Sequence, residues 1–261
     1  KLGATVELAD GYIQARASKG LKGGKIVFPF VSVGATENAM MASVCASGTT
    51  QIVNAAREPE IIDLAECLNA MGARISGQGT DSMFIEGVTS LGTATHKVMA
   101  DRVEAGTFVI AAAMTGGRLS VRDIIPEHLD ALFDVMRNTG VNIEAGTDFV
   151  TVTAEDGYQA QNVETHPYPG FPTDLQAQFT AMMCLAEGTS QISETIFENR
   201  FMHVPELIRM GADISVDGRT ALIRGKKRLL SAPVMATDLR ASVSLVLAGL
   251  ATKGTTKVGN I

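Results

Sequence analysis

Asp174, Arg200, Asp238 and Arg240 are of the types that can do chemistry, the aspartates by taking a proton and the arginines by binding an anion. An arginine fork meets phosphate or carboxylate with two parallel hydrogen bonds, and a carboxylate beside a hydroxyl can accept its proton as a new bond forms. Each has a structural alternative. Thr173-Asp174 and Asp238 stand where apolar helices begin, and aspartate is favoured there as a helix cap, while the arginines could serve ordinary salt bridges. Ser32-Val33-Gly34 opens another helix, where free N–H groups and the helix dipole attract phosphate, although a plain serine cap satisfies the same pattern. Glu58 and Glu60 flank Pro59 at a helix start and suggest capping or structural pairing. His203 suits a satisfied structural histidine. Cys45, Cys67 and Cys184 each lie in an apolar stretch and read as small core residues; neither a disulfide framework nor a metal-ligand spacing is expected.

The elements that position these residues follow from an internal repeat. Gly48-Thr-Thr-Gln-Ile52 returns as Gly116-Gly-Arg-Leu-Ser120, Gly188-Thr-Ser-Gln-Ile192 and Gly254-Thr-Thr-Lys-Val258, at separations of 68, 72 and 66 residues. A second phrase, a glycine followed shortly by a β-branched residue, reads Gly3-Ala-Thr-Val6, Gly72-Ala-Arg-Ile75, Gly140-Val-Asn-Ile143 and Gly211-Ala-Asp-Ile214, with separations of 69, 68 and 71. Between the phrases, Ile61, Leu64, Leu68 and Met71, and again Leu129, Leu132, Phe133 and Met136, fall at helical spacing. Pro59 and Pro126 suit the first turns of these helices, Gly72 and Gly140 their C-terminal ends, and Pro205 a kinked or shortened third copy.

After each terminal glycine the pattern predicts a strand, a turn and a strand, with Gly11, Gly77, Gly146 and Gly218 supplying positive φ. Further extended segments are expected at Lys25–Phe28, Lys97–Met99 and Pro233–Met235. A second kind of helix, at 37–46, 105–115, 179–187 and 242–251, is apolar or small all round and is expected to be wholly buried. The fold class is therefore α/β, built from units of about 70 residues with helices inside and sheets outside.

Composition narrows the function. The chain is 46% hydrophobic and 19% charged, which suits a globular protein, and its net charge of −6 argues against a nucleic-acid partner. The apolar run 241–251 is too short to span a bilayer, so no membrane insertion and a cytoplasmic location are expected.

The stretches Val31–Thr36, Asn54–Ile61, Gly77–Thr80, Phe171–Asp174, Phe197–Glu206 and Ala236–Ser242 resemble those of the UDP-N-acetylglucosamine 1-carboxyvinyltransferases, and the likeness runs from end to end of the chain. The resemblance implies two inside-out α/β barrels with the active site in the cleft between them. Residues 1–100 would form part of the first and 101–261 most of the second. It implies attack of the sugar 3′-hydroxyl on C2 of phosphoenolpyruvate with loss of phosphate, and no metal or other cofactor.

Residue by residue, the likeness places Asp174 beside the attacking hydroxyl as ligand and base, and Arg200, Asp238 and Arg240 in the catalytic wall. Ser32, Val33 and Gly34 would contact the nucleotide diphosphate, and Ile196 the nucleotide through its main chain. Phe30 stands where many relatives carry a basic residue. Missing from the chain are the family's mobile-loop cysteine, an N-terminal Lys-Asn pair and a C-terminal arginine. An internal portion of a longer, two-barrel enzyme is therefore expected, poorly active by itself. The sister transferase acting on 3-phosphoshikimate and a non-catalytic ligand-binding or structural module stand as alternatives.

Overall fold

The computed structural model describes residues 1–154 and 157–260. The chain separates into two compact units, Lys1–Met99 and Ala100–Ile261. The first contains β1 (Thr5–Ala9), β2 (Tyr12–Arg16), β3 (Lys25–Val27), α1 (Val33–Val44), β4 (Thr49–Val53), α2 (Pro59–Ala70), β5 (Arg74–Ser76) and β6 (Ser82–Glu86). The second contains α3 (Arg102–Thr115), β7 (Gly117–Arg122), α4 (Asp130–Asn138), β8 (Asn142–Ala145), β9 (Phe149–Ala154), β10 (Val163–Glu164), α5 (Gln176–Met183), β11 (Thr189–Ser193), α6 (Val204–Arg209), β12 (Asp213–Asp217), β13 (Thr220–Arg224), β14 (Pro233–Met235), α7 (Leu239–Leu250) and β15 (Lys257–Gly259).

The repeat is a repeat of structure. Sheet order β3-β4-β6-β5 in the first unit recurs as β10-β11-β13-β12 in the second, each with one parallel pair followed by antiparallel neighbours. Both glycine phrases mark the same backbone event throughout: Gly48, Gly116, Gly188 and Gly254, and Gly3, Gly72, Gly140 and Gly211, all have positive φ, a region that a side chain disfavours. In the second unit α3, α5 and α7 pack against one another, with α3 backed by β7 and β9, and α5 by β11 and β13. Helices therefore lie inside and sheets outside, and every residue of α5 is buried.

Several expectations need correction. Lys97–Met99 is not a strand: the Met99 amide donates to the Asp63 carboxylate at 3.1 Å instead of to a neighbouring strand, and β7 pairs only with β9. Gly146 does not have positive φ; a Cβ there would lie 2.2 Å from the Phe149 ring, so space, not backbone conformation, selects glycine. Pro126 begins a short 3₁₀ turn before α4 and not the α-helix itself, whereas Pro205 does stand, as expected, in the first turn of a shortened helix, α6. Apolar character all round does not bury α1, α3 or α7 completely, and Phe108 of α3 is exposed. Among the described residues α2, β4 and β6 pack on α1 and Met41 is 48% exposed, while Leu239 and Leu250 of α7 are 69% and 62% exposed. Cys45 is exposed and Cys67 half-buried, so only Cys184 is a core residue; burial pushes its thiol up to about 12. No helix among the described residues is long and apolar enough to cross a membrane.

Candidate active site

Side-by-side packing of α5 and α7 brings the starts of both helices together with the loop that follows β11. A 3₁₀ turn, Thr173–Leu175, leads into α5 and carries Asp174. Its carboxylate does not cap the helix, as its position suggested. Instead it bridges two cations: Arg200 Nη2 donates to Oδ1 at 2.6 Å, and Arg240 Nη2 donates to Oδ2 at 2.9 Å. Burial works to raise the Asp174 pKa, but the Arg240 and Arg200 charges and hydrogen bonds prevail, and the carboxyl is held below its ordinary value. It is therefore ionised at neutral pH. Arg200 is further fixed by Nη1 donating to Thr173 Oγ1 at 2.7 Å and by its guanidinium lying 4.5 Å from the Phe197 ring centroid.

Asp238 is the cap that its position implied. Its Oδ1 accepts from the amides of Arg240 and Ala241 at 2.8 and 2.9 Å, fixing the first turn of α7 and with it the root of Arg240. Asp238→Ala should therefore lower stability by about 1 kcal/mol, whereas Asp238→Ser, which retains a capping oxygen, should recover most of that loss in urea unfolding. If the two variants unfold alike, capping is not what Asp238 contributes.

Ile196 belongs to the same region, and its amide already donates to Glu194 at 2.8 Å. Sequence reasoning passed over Glu194 and Thr173. Alternation along β11 was the available signal, because Ser190 and Ile192 face inward and the same parity carries Glu194 into the interior.

His203 is 1% exposed, and its Nε2 lacks a hydrogen-bond partner, so it is structural but not satisfied as expected. Burial holds its pKa down to about 4; the Asp238 charge opposes this and the Arg200 charge adds to it. The folded state keeps the ring neutral while an unfolded chain protonates near 6.5, so the unfolded state binds more protons between those values. Stability should fall as pH drops from about 6.5 to 4. Replacing His203 by glutamine should flatten that part of a urea-midpoint profile.

In the first unit, Ser32 caps α1: its Oγ accepts from the Ala35 amide at 3.3 Å, and its carbonyl accepts from the Thr36 amide and hydroxyl. Val33 and Gly34 form the first turn, whose amides have no acceptor within the helix. Glu58 occupies the start of α2 without a side-chain capping bond, which removes capping and not structural pairing from its expected roles, and Glu60 lies in the first turn. Burial, then the charges of Glu60 and Glu58, raise the pKa of Glu37 on α1. Among the described residues, no group of His, Cys, Asp and Glu gathers as metal ligands would.

Inner helices enclosed by repeated sheets place the chain among proteins with the enolpyruvyl transferase fold, as solved structures show. The structure matches the enolpyruvyl transferase NikO from Streptomyces tendae with a TM-score of 0.84 and 25% identity, covering 99% of this chain and 64% of that one. It matches EPSP synthase from Acinetobacter baumannii with a TM-score of 0.69 and 18% identity.

More particularly, residues 1–261 match the family described as EPSP synthase (3-phosphoshikimate 1-carboxyvinyltransferase), and the chain belongs to that family. Within it, the chain is 56% identical over 260 residues to the UDP-N-acetylglucosamine 1-carboxyvinyltransferase of Geobacter metallireducens, and 56% identical over 262 residues to that of Caulobacter sp. strain K31. These matches cover all of this chain but 62% and 60% of the relatives.

Proposed function

We propose that this protein transfers the enolpyruvyl group of phosphoenolpyruvate to the 3′-hydroxyl of UDP-N-acetylglucosamine and releases phosphate, a cytoplasmic step of peptidoglycan synthesis. The observation that carries this reading is Asp174 between Arg200 and Arg240, in a chain more than half identical to carboxyvinyltransferases of that specificity. On this reading residues 1–100 belong to one barrel and 101–261 to a second.

The arrangement suits the chemistry. Phosphoenolpyruvate carries a carboxylate and a phosphate, and an arginine fork fits either. When these anions draw Arg200 and Arg240 toward themselves, Asp174 loses the two partners that keep its pKa low, while its burial remains. Its affinity for a proton then rises just as the sugar hydroxyl arrives. The hydroxyl oxygen bonds to C2 of phosphoenolpyruvate, its proton passes to Asp174, and C3 gains a proton; loss of a proton from C3 with departure of phosphate restores the double bond. Asp238 holds the first turn of α7 so that Arg240 meets the anion. In the first unit, Ser32, Val33 and Gly34 offer the amino end of α1 to the diphosphate. The Ile196 amide is occupied by Glu194, so a main-chain contact to the nucleotide falls to its carbonyl.

Phosphate release from phosphoenolpyruvate tests the proposal. It should require UDP-N-acetylglucosamine, and 3-phosphoshikimate should not replace it. Release with 3-phosphoshikimate alone would transfer the assignment to the sister activity. Calorimetric binding of the nucleotide sugar without any release would leave a binding module.

A further inference from the structure

The cations at the site rest on a buried anion that takes no direct part in the proposed chemistry. Glu194 is 1% exposed, and its carboxylate accepts four hydrogen bonds. Oε1 takes the Thr165 hydroxyl at 2.8 Å and the amides of Ile196 and Phe197 at 2.8 and 3.1 Å. Oε2 takes the Thr173 hydroxyl at 2.8 Å. Three of the four bonds converge on Oε1 and one reaches Oε2, and each donor lies on the segment before α5 or in the loop after β11.

The direction of these bonds matters. Thr173 has one hydroxyl hydrogen, and because Glu194 accepts it, the Thr173 oxygen turns its lone pairs toward Arg200 Nη1, 2.7 Å away. The same carboxylate draws in the Ile196–Phe197 backbone, which places the Phe197 ring against the Arg200 guanidinium. Thr195 tightens the junction, its amide donating to Thr165 Oγ1 at 2.9 Å and its hydroxyl to the Thr165 carbonyl. Arg200 is thus held by three contacts, of which only the one to Asp174 is relinquished when Asp174 engages a substrate hydroxyl.

We propose that Glu194 is the positioning residue of this site: acting through Thr173 and through the Ile196–Phe197 backbone, it keeps Arg200 in place while Arg200 exchanges Asp174 for a substrate anion. The inference rests on the proposed transferase function for its kinetic reading, but the geometry itself is independent of it.

Glu194→Gln keeps the size and removes the charge. The best orientation of its amide keeps the oxygen on the Ile196 and Phe197 amides and turns the NH₂ toward Thr173, so the Thr173 hydroxyl loses its acceptor. A misplacement of a binding group by about 1 Å can lower turnover by about 100-fold. In the phosphate-release assay Glu194→Gln should lower kcat at least about 10-fold and raise KM for phosphoenolpyruvate, with a smaller change in KM for the nucleotide sugar. Thr173→Val should do the same, and Thr173→Ser, which restores the hydroxyl, should recover most of the rate. Added to Thr173→Val, Glu194→Gln should cost little further kcat, since both break one chain of contacts.

Wild-type kcat in Glu194→Gln, or losses that simply multiply in the double variant, would overturn the proposal. A wild-type protein without phosphate release would defeat the functional reading instead. Crystal structures of wild type and Glu194→Gln then decide the positioning role alone: Arg200 displaced from Asp174 supports it, and Arg200 unmoved refutes it.

Discussion

Asp174→Asn is expected to lower kcat by about 100- to 10,000-fold while leaving the protein folded, the range over which positioned proton transfer contributes to enzymic rates. The amide is nearly isosteric and can still accept from one arginine through its oxygen, so shape and part of the Arg200–Asp174–Arg240 bridge survive. What disappears is the capacity to take the hydroxyl proton. The stability change should be small, about 1 kcal/mol, because the Asp174 side chain is 36% exposed and solvent screens such pairs. Its acid dependence should change as well. A carboxyl whose folded pKa is depressed stabilises the fold above its unfolded value and loses that contribution as pH falls through the folded value. Wild type should therefore lose this increment below the ordinary carboxylate range, and Asp174→Asn should not. Rate and unfolding midpoint measured on the same preparation separate the two roles: a large loss of stability with turnover per folded molecule intact would make Asp174 a structural bridge only.

The charged residues of this site were legible because they sit in fixed places of the repeat. Asp174 and Asp238 precede the inner helices α5 and α7, whose apolar sequences declare their burial, and packing those helices together brings their starts together. What the carboxylates do there was not legible. Both positions favour a cap, yet Asp238 caps and Asp174 does not, because Arg200 reaches Asp174 from a loop 26 residues away and no local pattern records that contact. The roles of Thr173 and Glu194 were hidden in a related way: alternation along β11 signals that Glu194 is buried, but the direction of hydrogen bonds between segments distant in sequence leaves no local pattern. The exposed faces of α1 and α7 illustrate a further limit. An apolar helix surface specifies that a neighbour is favourable, and how many neighbours cover it is a property of the whole packing.

Gly225→Ala is expected to destabilise the protein by about 3 kcal/mol or more, although Gly225 does not have the positive φ that favours glycine. A Cβ at Gly225 would lie 1.7 Å from the carbonyl oxygen of Ala186, and one at Gly87 would lie 1.5 Å from that of Ala46. These are the same place in two repeats. Gly225 N donates to Gly188 O at 3.0 Å and Lys226 N to Cys184 O at 2.8 Å; Gly87 N donates to Gly48 O at 2.9 Å and Val88 N to Val44 O at 2.8 Å. In each unit the chain leaving the hairpin closes over the end of the inner helix and satisfies carbonyls that the helix leaves open. A methyl group must push that segment off the helix by more than an ångström, which breaks both hydrogen bonds and opens the packing beneath. Overpacking alone costs about 1–3 kcal/mol, and each lost hydrogen bond about 1 kcal/mol more. Gly24→Ala is the control: its Cβ would meet nothing closer than 4.0 Å, so its unfolding midpoint should stay near that of wild type. Urea unfolding of both variants decides the matter, and a Gly225→Ala protein as stable as Gly24→Ala would show that the segment yields to the methyl group without releasing the helix.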